Sequence, residues 1–196
     1  MYRPNILPLQ LLAAIVSTAF VLALSQSSLA KAYDDEETIA LLQVLNNSKV
    51  GLAEGVQQLT KKGEAAISAK YELYDNKKLS LSVYTAEKGL STDPEHNILK
   101  EFSGSPEQTP WAPEVEVFKD IPHVSRASGQ LSEMAMAKYP LADYISMAQK
   151  QHQGTVFSAI PEIQNHHPVL VVLVADKGKV SQVLFDLETA RAIAAK

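Results

Sequence analysis

The chain has 196 residues, of which 46% are hydrophobic, and a formal net charge of −4. It contains no cysteine, which excludes a disulfide framework, a thiolate metal site, a cysteine nucleophile and a lipid-anchored cysteine. No patch rich in Lys and Arg appears, which argues against nucleic acid or an anionic membrane surface as a partner.

The first segment reads as a secretory signal peptide over residues 1–32. Met1-Tyr2-Arg3 carries one basic residue, an apolar run extends from Leu11 to Leu24, and a small-x-small site precedes Tyr33. Cleavage is expected after Ala32, with Ala30 as the alternative. The apolar run is shorter than the roughly 20 residues a membrane span requires, and Asp34-Asp35-Glu36-Glu37 follows at once. The expectation is a periplasmic or secreted protein with no stable membrane anchor after cleavage. Export without disulfides fits a bacterial periplasm better than a small extracellular eukaryotic domain.

Thr38 to Leu45 is apolar at Ile39, Leu42 and Leu45, as in a short helix. Val50 to Lys61 places Leu52, Val56 and Leu59 on one helical stripe. Ala66 to Tyr74 and Lys78 to Thr85 read as a hairpin turning at Asp75-Asn76-Lys77. Within it, Leu79-Ser80-Leu81-Ser82-Val83 alternates strictly, which predicts one buried and one wet face. A Pro-rich connection runs from Leu90 to Pro122, with strands expected at Ile98–Phe102 and Glu114–Phe118. Ser125 to Lys138 has helical spacing, and Pro140 opens a helix running to about Gln151. Phe157 to Gln164 and Val169 to Ala175 form a second hairpin across Asn165-His166-His167-Pro168. Its strand Val169–Val174 is apolar on both faces and is expected to lie deep. Val180 to Leu187 is a further strand, and Ala190 to Lys196 is a short tail with helical character.

The two helix–hairpin segments match each other. Leu52, Ala53, Val56 and Leu59 correspond to Leu141, Ala142, Ile145 and Ala148, and Leu79, Leu81 and Val83 to Val169, Val171 and Leu173. Such self-similarity predicts an α+β fold of two repeated units, each a helix packed on a small antiparallel β-sheet. The units are placed at 33–112 and 113–196.

The unit resembles the PepSY domain. The second segment carries the resemblance best, from Val156 to Phe185-Asp186-Leu187-Glu188-Thr189-Ala190, and Ile67 to Gly89 is similar to the first half of secreted PepSY-like proteins. The family usually has glycine at the last position, where this chain has Ala190. The resemblance implies a helix on an antiparallel sheet, repeated, with no catalytic residues. Related domains occur as propeptides of secreted metallopeptidases, where they look like inhibitors or folding aids.

Candidate site residues are few. His166 and His167 on a hairpin tip are imidazole ligands for zinc, copper or nickel in principle, but neighbouring strand residues point to opposite faces. His96, His123 and His152 join them only if the fold brings them close. Asp34 to Glu37 reads as a solvated acidic run, and Glu72 and Glu162 as equivalent positions without an accompanying nucleophile or base. Partner-binding candidates are the wet face at Ser80 and Ser82, and Trp111 between Pro110 and Pro113, which either anchors a partner or folds back over the core. The sequence expectation is therefore a non-enzymatic exported binding or regulatory protein. Its partner would be another periplasmic or secreted protein, such as a peptidase, and no cofactor is implied. The alternative is a metal-binding or metal-responsive periplasmic protein using His166 and His167.

Overall fold

The computed structural model describes residues 36–74 and 77–193. The apolar N-terminal run, Asp34 and Asp35, the turn residues Asp75 and Asn76 and the last three residues lie outside the described residues.

Helix α1 (Glu36–Val44) opens with Glu36 and Glu37, whose carboxylates suit the positive end of a helix. Helix α2 (Leu52–Thr60) buries the expected stripe of Leu52, Val56 and Leu59. Strands β1 (Ala65–Leu73), β2 (Leu79–Ala86), β3 (Leu99–Gly104) and β4 (Glu114–Val117) follow. Helix α3 (Ile121–Met134) starts ahead of the expected Ser125. The Asp120 carboxylate accepts a bond from the His123 backbone N–H at 3.1 Å, and Pro122 lies in the first turn. Helix α4 (Leu141–Gln151) leads to β5 (Thr155–Gln164), β6 (His167–Asp176), β7 (Lys179–Asp186) and β8 (Ala192–Ile193). The tail expected to be helical thus contains a two-residue strand paired with Leu184 and Phe185.

The architecture overturns the expectation of two repeated helix-on-sheet units. All eight strands form one antiparallel sheet in the order β4-β3-β2-β1-β5-β6-β7-β8. The two hairpins join where β1 meets β5, with Ala69 opposite Ala159 and Lys70 opposite Ser158. An open strand edge exposes unpaired backbone groups, and joining β1 to β5 removes two such edges at once. The core is continuous across the join. Leu59, Ile67 and Leu81 from one side and Leu141, Ile145 and Leu170 from the other belong to one buried cluster.

Helices α2 and α4 pack beside each other on one face of the sheet, and α3 crosses the opposite face over β5 and β1. The strand burial follows from these layers. β6 is apolar on both faces and is buried from Pro168 to Val172, as its composition predicts. β2 is buried at every residue, including Ser80 (0% exposed) and Ser82 (1%), so its expected wet face is absent. The alternation reported polarity correctly, but α3 and the neighbouring strands cover that polarity.

Both hairpins carry a register shift in their first strand, between Ala66 and Ser68 in β1 and between Val156 and Ser158 in β5. The extra residues, Ile67 and Phe157, are both buried. After β7, Asp186 Oδ1 accepts the Thr189 backbone N–H at 2.7 Å and the Thr189 hydroxyl at 2.8 Å. Ala190 then adopts φ +58°, the left-handed conformation that glycine takes most easily.

Candidate binding surfaces

The polar face of the first hairpin is built by alternation. Ser68, Lys70 and Glu72 of β1 stand opposite Tyr84, Ser82 and Ser80 of β2. The α3 side chains Arg126 and Gln130, one turn apart, come down over this face. Between them lies a cleft of about 340 Å³, with Ser68 and Ser82 on its floor and Tyr84 and Ile160 in its walls.

The hydrogen bonding in this cleft is uneven. The Ser68 hydroxyl donates to Gln130 Oε1 at 2.7 Å, and the Ser82 hydroxyl donates to the Glu72 carboxylate, so both serine protons are committed. Lys70 is ion-paired with Glu72. Gln130 is 7% exposed, and its Nε2 amide has no partner among the described residues. Arg126 makes no ion pair among the described residues and lies beside the Tyr84 hydroxyl. Burial and the Glu101 charge raise the Tyr84 pKa above its ordinary value, against the lowering influence of Lys70 and Arg126. The phenol therefore remains protonated and able to donate at neutral pH.

A second surface is the outer edge of β4. All four of its residues, Glu114-Val115-Glu116-Val117, are exposed, and Val115 and Val117 are 57% and 42% exposed. The Phe118 N–H bonds inward to the Leu99 carbonyl at 3.0 Å. Since backbone N–H directions alternate along a strand, those of Val115 and Val117 point outward, away from β3.

The residues singled out in the sequence are mostly elsewhere. Ser82 is on the cleft floor and Ser80 is wholly buried, its hydroxyl 3.5 Å from the Gly104 carbonyl, so neither forms an exposed docking face. Trp111 is 2% exposed. Its indole N–H donates to the Gly104 carbonyl at 3.3 Å, and Gln58 Nε2 donates to the Trp111 carbonyl at 2.7 Å. It is the plug over the core, not an exposed anchor, and its ring packs beside Gly55 of α2, where an added Cβ would lie 2.5 Å from Leu81 Cδ2. His166 and His167 are exposed at the β5–β6 turn, with His166 at φ +66°. His96 and His123 instead contact Asp93 and Asp120, each at 2.8 Å. Among the described residues, no group of three or more His, Asp or Glu side chains converges as a metal site. Glu72 and Glu162 are drawn apart, since antiparallel β1–β5 pairing puts them at opposite ends of the join. Glu162 instead lies near Glu133, whose pKa burial raises, with the Glu162 charge adding to the effect.

The sequence reading missed Lys70, Tyr84, Arg126 and Gln130. A usable signal existed. Ser68, Lys70 and Glu72 alternate as strictly as Ser80 and Ser82, and Arg126 and Gln130 share a helical face.

No protein-family model matches the chain, and comparison with curated proteins gives no match. Among solved structures, the chain is similar to a protein of Clostridium difficile 630 described as a "putative lipoprotein", with 9% identity, 75% of this chain and 92% of that chain covered, and a TM-score of 0.34. No described helix is long and apolar enough to cross a membrane.

Proposed function

We propose that the chain is an exported, non-enzymatic binding protein of the PepSY type, which captures an extended segment of a partner protein, such as a peptidase, along the free edge of β4. The observation that carries this reading is the outward row of backbone groups at Val115 and Val117, unpaired among the described residues and flanked by exposed apolar side chains. Added strands bind through main-chain bonds and gain specificity from alternate side chains. Glu114 and Glu116 alternate with the two valines, so the complementary segment alternates basic and apolar residues. The same carboxylates keep copies of this edge from pairing with each other. Export rests on the apolar run from Leu11 to Leu24 and the small-x-small site after it.

The test is Val115→Pro. Proline removes an outward N–H while the inward bonds to β3 remain, a position where edge strands accept it. The full chain, produced with export intact, is captured from its host together with whatever it retains. A stoichiometric protein retained by the wild type and lost by Val115→Pro supports the reading. Equal retention by both, or no retained protein, overturns it.

A further inference from the structure

The geometry points to a second, independent site: the cleft between α3 and the β1–β2 hairpin binds a small organic monocarboxylate through Arg126, Tyr84 and Gln130. This goes beyond the edge-capture reading and does not depend on it, since β4 contributes nothing to the cleft.

The cleft is bordered by side-chain donors with hydrogen-bonding capacity left over. Gln130 commits its Oε1 to Ser68, while its Nε2, open to the cleft, has no acceptor among the described residues. The Tyr84 hydroxyl accepts a bond from the Arg126 guanidinium, and among the described residues it has no acceptor for its own proton and Arg126 has no carboxylate partner. Three donors therefore border one cavity, while the hydroxyl protons of Ser68 and Ser82 are used within the protein.

Charge then fixes the ligand's valence. Lys70 is neutralised by Glu72, which leaves Arg126 as the one cation of the cleft without an ion pair among the described residues. One guanidinium takes one carboxylate, and its planar fork suits two parallel bonds to that group. A dianion would carry a second charge with nothing to meet it. The remaining walls, Ile160 and the Tyr84 ring, are apolar and fit a compact hydrocarbon body. The volume of about 340 Å³ lies at the small end of ligand pockets. At about 30 Å³ for each water-sized group it holds roughly ten non-hydrogen atoms.

Benzoate has that size and charge, and it is the probe. Titrated into the full chain and followed by amide NMR shifts, it is expected to saturate, with the shifts confined to β1, β2, β5 and α3. Benzamide, of the same shape without the charge, is expected not to saturate. Arg126→Gln alters an exposed side chain, so an unchanged melting temperature is expected, together with at least a tenfold weaker benzoate affinity. Val115→Pro is expected to leave benzoate binding unchanged, which separates failure of this site from failure of the β4 reading. No saturable shift with benzoate overturns the proposal. So does equal binding of benzamide, unchanged affinity in a folded Arg126→Gln, or equal affinity for inorganic phosphate.

Discussion

Ala69 of β1 and Ala159 of β5 stand directly opposite each other where the two halves of the sheet meet, and both are almost fully buried. Small side chains there let α2 and α4 pack closely over the join. Ala159→Leu inserts three further carbons beneath those helices. Overpacking a filled core of this kind costs about 1–3 kcal/mol. Urea unfolding checks the loss, and a variant as stable as the wild type would mean that the join is loosely packed.

Two glycine-to-alanine changes are expected to act in opposite directions. Gly154 has φ +114°, and a Cβ there would lie 2.2 Å from the Ala175 carbonyl oxygen, a backbone atom that cannot rotate away. Gly154→Ala is expected to lose at least about 2 kcal/mol. Gly129 sits within α3 with nothing within 4 Å of the added atom. Gly129→Ala is expected to gain about 0.5–1 kcal/mol from helix propensity and reduced freedom of the unfolded chain. Thermal melts of the pair decide the matter: an unchanged or raised melting temperature in Gly154→Ala would contradict the backbone geometry there, and a lowered one in Gly129→Ala would contradict the open space at that position.

Trp111 is the single tryptophan, so its fluorescence reports one site. At 2% exposure it is expected to emit at short wavelength and resist iodide quenching until the chain unfolds. Trp111→Ala is expected to cost about 3–5 kcal/mol. Ready quenching of the folded chain would show the ring at the surface instead.

Lys100 supplies the pH test. Its ammonium bonds Glu64 at 2.8 Å and also pairs with Glu87. Burial works against its charge, but the two carboxylates outweigh burial and raise the pKa above its ordinary value. A raised value in the folded state means tighter proton binding there. Its contribution is complete below the ordinary lysine pKa of about 10.4 and is lost as pH rises through the folded value. Lys100→Met leaves Glu64 buried without its cation, and is expected to cost about 1–3 kcal/mol at neutral pH. Urea midpoints from neutral to alkaline pH should show a constant gap between variant and wild type up to about pH 10, then a closing one. A gap that widens in alkali would reverse the sign.

Most elements were legible in the sequence because their causes are local. Both hairpins follow from alternation and short turns, and the depth of β6 follows from its two apolar faces. The start of α3 was also written locally, in Asp120 and Pro122, but the periodicity of its apolar residues begins later and drew the boundary inward. The β1–β5 join was not legible. It is a pairing between distant segments, and alternation on each strand is the same whether its edge is open or paired. Ser80 and Ser82 failed for a related reason, since period two reports which face is polar and not what covers that face. The cleft depends on both unknowns, because Arg126 and Gln130 reach Ser68 and Tyr84 only once α3 lies across the joined sheet.

The strand order also sets a sequence of events for a chain made from its N-terminus. Every neighbouring pair in the sheet is consecutive along the chain except β1 with β5. The first four strands can form a meander as they emerge, but β1 then keeps one side open until β5 has been made. Closing that distant pair is the slow, entropically expensive step, and an edge left waiting is where chains associate wrongly. A chaperone acting on this protein has that interval, between completion of β4 and arrival of β5, as its time of greatest use.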